Sequence, residues 1–150
     1  MRRTTTIVAA VALAAAAAGA TAWWLADDGD AAAQAARVTQ GRAVYAAYCA
    51  SCHGANLEGQ ANWMERLPSG RLPAPPHDET GHTWHHSDRQ LVAIIEHGPG
   101  VLVPGYESDM PGFAGVLTDE EIDAVLAFIK STWPERERTV QAERSRADPG

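Results

Sequence analysis

The chain has 150 residues, with 12 basic and 19 acidic side chains and a net charge of −7 at neutral pH. That length suits one domain with appendages and is too short for two full-sized domains. The acidic balance excludes the basic face of a general nucleic-acid binder, and two cysteines exclude a multi-disulfide scaffold.

Met1-Arg2-Arg3 precedes a run from Ile7 to Leu25 that contains no charge. At ~1.5 Å per residue this run reaches about 28 Å, close to the ~30 Å hydrocarbon core of a bilayer. Arg2 and Arg3 would stay cytoplasmic, with Trp23-Trp24 as an aromatic anchor at the far interface. Residues 1–26 therefore read as a membrane anchor. They also fit a signal peptide, with Ile7 to Ala18 as its apolar core and Ala20-Thr21-Ala22 as its cleavage site. The first reading expects a cell-membrane protein whose domain lies on the periplasmic side. The second expects a soluble periplasmic one.

Residues 27–37, rich in Ala, Asp and Gln, read as a linker, and residues 38–133 as the folded domain. Pro134 to Gly150 is charged and almost devoid of large apolar residues, so fraying or disorder is the expectation there.

Three helices are expected in the domain. The first covers about Thr39 to Ala50, with Val44, Tyr45 and Tyr48 as its large apolar residues. The second opens at Ser87, where Gln90 completes a capping box, carries Leu91, Ile94 and Ile95 inward, and stops at Gly98. The third opens at Thr118 with Glu121 as its box partner. Ile122, Val125, Leu126 and Ile129 form its apolar stripe, and Pro134 ends it. No strand pattern persists, so the fold class is all-α with long loops. The 33-residue stretch from Gly54 to His86 is too long for a structureless loop, unless a non-protein group fills the space beneath it.

Cys49-Ala50-Ser51-Cys52-His53 reads C-x-x-C-H, the attachment signature of c-type haem. Two thiols about one helical turn apart can add to the two vinyl groups of one haem, and the adjacent histidine then supplies an axial imidazole. A redox C-x-x-C would want a βαβ context, and a zinc site would want more cysteines or well-spaced histidines. One haem c, held by two thioethers, and its iron are the expected cofactors. Cys49, Cys52, His53 and Met110 are the expected binding residues, with His53 and Met110 on the iron.

Met110 lies in Asp109-Met110-Pro111-Gly112-Phe113, with enough chain after His53 to pass around a ring edge, and Pro111 favours an extended loop. Met64 is the lesser candidate and otherwise a wall or rim residue; packing in a core is the common fate of methionine. His/Met ligation fills both axial positions, so the iron exchanges electrons rather than binding substrate.

On Tyr48 to Gly54, Met110 to Phe113 and Leu117 to Ile122, the chain resembles class I c-type cytochromes, small bacterial mono-haem domains. The resemblance covers about Thr39 to Trp133. It implies a small cytochrome c fold with three main helices and long loops around one covalent haem. It also implies a close crossing of first and last helices, to which Gly41, Tyr45 and Phe128 correspond. A loop proline carbonyl should accept a hydrogen bond from the ligand histidine; Pro73, Pro75 and Pro76 are the candidates.

The implied function is single-electron transfer in a periplasmic or extracytoplasmic respiratory chain, by a non-enzyme that could be a subunit of a larger oxidoreductase. The alternatives are a haem enzyme or gas-binding protein with an open distal site, or a copper-handling protein. The last would use His77, His82, His85 and His86, which otherwise read as a polar loop. Between residues 38 and 133 there are five basic and twelve acidic residues, a surface that could steer a redox partner with a basic docking face.

Overall fold

The computed structural model describes residues 29–148, so the expected anchor or signal peptide, with Trp23-Trp24 and Ala20-Thr21-Ala22, lies outside the described residues. Among the described residues no helix is long and apolar enough to cross a membrane. The chain divides into one unit over Met1–Ala36 and another over Arg37–Gly150. In the first, residues 29–36 are helical rather than an irregular linker. Alanine, the strongest helix former, fills most of that segment.

The second unit is all-α. It contains α1 (residues 37–48), α2 (Ala50–His53), a 3-10 turn (Thr83–His85), α3 (Asp88–His97), a second 3-10 turn (Pro99–Val101), α4 (Asp119–Thr132) and α5 (Glu135–Ala147). Its only strand-like feature among the described residues is an isolated bridge between Ala114 and Leu117.

Both expected capping boxes form. The Ser87 hydroxyl accepts from the Gln90 N–H at 3.2 Å, while the Gln90 side chain accepts from the Ser87 N–H at 3.3 Å. Thr118 and Glu121 do the same for α4, at 3.2 and 2.9 Å. These bonds satisfy amides that a helix start otherwise leaves unpaired, which is why the helix starts read from the sequence are the ones found.

The α4 stripe is the spine of the core. Ile122, Val125, Leu126 and Ile129 are at most 5% exposed and pack with Val44, Tyr45, Leu91, Leu117, Phe128 and Trp133. Of the apolar residues expected to face inward from α3, Leu91 is buried, and Ile95 is partly buried against the same core.

The segment expected to fray after Pro134 is instead α5. It has no apolar stripe, and that is why hydrophobic periodicity does not reveal it. Polar contacts hold it. The Gln141 side chain donates to the His86 carbonyl at 3.3 Å and to the Asp88 carboxylate, and Ser145 Oγ accepts from the Asp88 N–H at 3.0 Å. Glu137 and Gln141 are buried, and Val140 packs at the edge of the core.

The 54–86 stretch is also more ordered than its length suggests. Gln60 donates its N–H to the Ala74 carbonyl and His77 donates its own to Leu57, each at 2.8 Å. Between these bonds sits Gly59, at φ +67°; a Cβ there would come within 2.4 Å of the Pro76 nitrogen. Only glycine fits that approach. Two short backbone segments therefore lie side by side and hold the prolines in place.

Candidate haem-binding site

Tyr45 near the end of α1 is where the core meets the site. Its ring is 2% exposed, and its hydroxyl donates to the Gly54 carbonyl at 2.9 Å. That bond reaches across the whole C-x-x-C-H segment. Cys49 caps the N-terminus of α2 and His53 closes it, with the Gly54 N–H returning to the Ala50 carbonyl at 3.0 Å. One helical turn therefore separates the two thiols, both of which are free. Cys52 is exposed and Cys49 half-buried.

Burial, and after it the neighbouring Cys52, push the Cys49 thiol up to about 11. A redox dithiol depends on the opposite, a lowered thiol pKa.

His53 is buried, and its Nδ1–H donates to the Pro75 carbonyl at 2.8 Å. Of the three prolines compatible with the sequence, Pro75 is the one that meets it. Because a carbonyl can only accept, the proton sits on Nδ1 and the Nε2 lone pair is left for a metal. Burial lowers the His53 pKa, against the raising effect of that same bond.

Met110 is half-buried in the loop before α4, where its N–H donates to Ser108 Oγ at 3.1 Å. The loop is tied to the end of α3: Phe113 donates to the Ile95 carbonyl at 2.9 Å and Ala114 to the Glu96 carbonyl at 3.1 Å. Met64 is 75% exposed. Arg71, which sequence reasoning missed, pairs with Asp109 beside Met110 and with Glu107, while its buried Nε has no partner. An open cleft of about 420 Å³ lies between residues 66–70 and 103–107, and none of the four expected site residues lines it.

Of the four loop histidines, His82 and His86 meet edge to face with ring centroids 5.5 Å apart, but the four do not form a metal-holding group. His77 Nδ1 shares a hydrogen bond with Thr83 Oγ1 at 2.8 Å. His82 stacks on Trp63, His85 stacks on Trp84, and His86 shares a hydrogen bond with Gln90. Among the described residues no group of three histidine, cysteine or acidic side chains is placed to hold a metal ion. The sequence also missed the stacking of His77 on His53 and the indole of Trp133. Neither carries a local signal, because both partners are distant in sequence.

The donor set fits a covalent c-type haem: two free thiols one turn apart, a neutral imidazole oriented through its Nδ1, and a buried guanidinium nitrogen still able to donate. Searches of curated proteins and of solved structures returned no match. The family model described as cytochrome c oxidase, cbb3-type, subunit III matches residues 36–129. That span contains the C-x-x-C-H segment, Pro75 and Met110 together with the crossing of α1 and α4, so the protein is a c-type cytochrome with a haem-based electron-transfer domain. With more than half of its length matched, the chain belongs to the family of cytochrome c oxidase, cbb3-type, subunit III.

Proposed function

We propose that the chain is a mono-haem, single-electron carrier of a periplasmic or extracytoplasmic respiratory chain, with His53 and Met110 as axial ligands and Cys49 and Cys52 as attachment points. The observation that carries the reading is the His53 Nδ1–H donated to the Pro75 carbonyl, which leaves Nε2 free and aims the ring. When bound, haem c supplies an iron that accepts and releases one electron. His53 and Met110 would hold that iron, and the protein's own bonds fix where those two side chains start from. Pro75 keeps the imidazole in one tautomer, and the backbone bonds of residues 113 and 114 tether the Met110 loop to α3. A thioether from Met110 would raise the reduction potential, and with His53 and Met110 both on the metal no substrate would reach it.

Asp119, Glu120 and Asp123 are exposed on α4, which supports steering of a partner with a basic face, with rates that fall as salt rises. An N-terminal anchor would keep the domain near membrane-bound partners and raise its effective concentration.

The ferric absorption spectrum tests the ligand set. A Met-to-iron charge-transfer band should vanish in Met110→Ala and persist in Met64→Ala. A high-spin, ligand-binding wild type would refute electron shuttling, and loss of the band in Met64→Ala alone would reassign the ligand. A haem stain on a denaturing gel, abolished in the Cys49→Ser, Cys52→Ser double variant, tests covalent attachment.

A further inference from the structure

His53 has a second neighbour besides Pro75. The His77 ring lies over it with centroids 4.0 Å apart and planes 23° from parallel. Pro75 and His77 restrain different motions. A hydrogen bond to Nδ1 sets the direction of the imidazole within its plane. A flat group stacked on the ring face opposes rotation of the plane itself.

His77 is unusually well held for a loop residue. Its ring nitrogen Nδ1 is bonded to Thr83 Oγ1 at 2.8 Å, its N–H donates to the Leu57 carbonyl at 2.8 Å, and its carbonyl accepts from the Trp133 indole at 2.7 Å. Leu57, Thr83 and Trp133 are all buried. The Tyr45 ring lies edge-on to His77, with ring centroids 6.2 Å apart. Each anchor comes from a different part of the fold: the loop after α2, the 3-10 turn before α3, and the junction of α4 with α5. Leucine could fill the volume, but it offers neither a flat face nor a bond to Thr83.

We propose that His77 is a positioning residue, which sets the plane of the His53 imidazole by stacking on it and is itself oriented by Thr83 and Trp133. The proposal rests on the reading of His53 as the axial ligand. The plane of an axial imidazole governs how spin density spreads over the ring system of a low-spin ferric haem. His77 thus acts on the electronic structure through His53 without touching the iron, in the manner of the outer groups that tune metal sites.

Paramagnetic proton NMR of the ferric holoprotein reads this directly, because the haem methyl resonances follow the imidazole plane. His77→Leu should redistribute those resonances and shift the midpoint potential. His77→Phe, which keeps a flat ring, should stay closer to wild type in both. Thr83→Val should move the methyl pattern in the direction of His77→Leu but less far. Leu91→Ala, a core deletion elsewhere, should lower the melting temperature without redistributing the methyls.

A wild-type methyl pattern in both His77→Leu and Thr83→Val would overturn the proposal, as would a His77→Phe pattern displaced as far as that of His77→Leu. If His77→Leu fails to retain haem, Thr83→Val decides. A low-spin wild type with unmoved variants refutes His77 positioning alone, whereas a wild type without His53 on the iron refutes the ligand reading and the proposal together.

Discussion

Gly41 on α1 lies directly against the backbone of α4 at Ala124: a Cβ at position 41 would sit 1.8 Å from the Ala124 carbonyl oxygen. It would also meet the Phe128 Cβ at 2.9 Å. One turn along α1, Tyr45 packs on Phe128 with ring centroids 5.4 Å apart. The absence of a side chain at 41 thus lets two helices approach until the aromatic pair closes over the contact.

Substitution at Gly41 should therefore separate α1 from α4. Gly41→Val should destabilise the domain by about 3 kcal/mol, the upper end of what overpacking costs when backbone must move. Denaturant unfolding measures this. Because α1 leads directly into Cys49, the variant should also hold less covalent haem at equal expression. A stability within 0.5 kcal/mol of wild type, roughly the scatter of harmless surface changes, would contradict the close crossing.

Tyr45 has a second duty that aromatic packing alone does not need. Its hydroxyl donates to the Gly54 carbonyl, one residue beyond His53. Tyr45→Phe keeps the ring on Phe128 and removes only that bond. The expected cost is about 1 kcal/mol, since Gly54 O still accepts from the Leu57 N–H and is not left bare. Equilibrium unfolding of Tyr45→Phe measures the bond, and an unchanged midpoint would mean that it contributes nothing.

The C-terminal helix makes a sharper prediction, because a frayed tail could be removed without consequence. Truncation after Pro134 should cost about 2 kcal/mol, by stripping partners from the His86 carbonyl, Ser87, Asp88 and Arg89 at the start of α3. Thermal unfolding of full-length and truncated holoprotein, followed by far-ultraviolet circular dichroism, reads the difference. Coincident melting curves would return the segment to the status of a tail.

What the sequence reveals and what it hides divide along a physical line. Ser87 with Gln90, Thr118 with Glu121 and the Ile122–Ile129 stripe are local patterns, and each forms its expected element. The C-x-x-C-H spacing is local as well, and α2 realises it within one turn. The choice of Pro75 over Pro73 or Pro76 depends on how residues 57–60 lie against 74–77, which no local rule states. Helix α5 is invisible to hydrophobic periodicity, yet Glu135 and Glu137 in its first turn and Arg144 and Arg146 in its last suit the helix dipole. Its Glu, Arg, Gln and Ala are also strong helix formers, so charge and propensity together were the available signal.

Asp88 is where α3, α4 and α5 meet, and it makes that junction sensitive to acid. Its carboxylate takes bonds from Lys130 on α4 and Gln141 on α5. Burial pushes the Asp88 carboxyl up, but the bonds from Lys130, Gln141 and Ser145 outweigh it and hold the group below its ordinary 3.8. Asp148, bonded by Ser87 and Arg89 at the end of α5, is held below 3.8 as well. A folded value below the unfolded one means that the folded state binds the proton less tightly. The stabilisation is therefore complete above pH 3.8 and is lost as pH falls through the lower folded values. Melting temperatures of the wild type should fall more steeply over that range than those of the Asp88→Asn, Asp148→Asn double variant. If wild type and double variant decline in parallel below pH 3.8, the Asp88 and Asp148 carboxylates do not hold the junction.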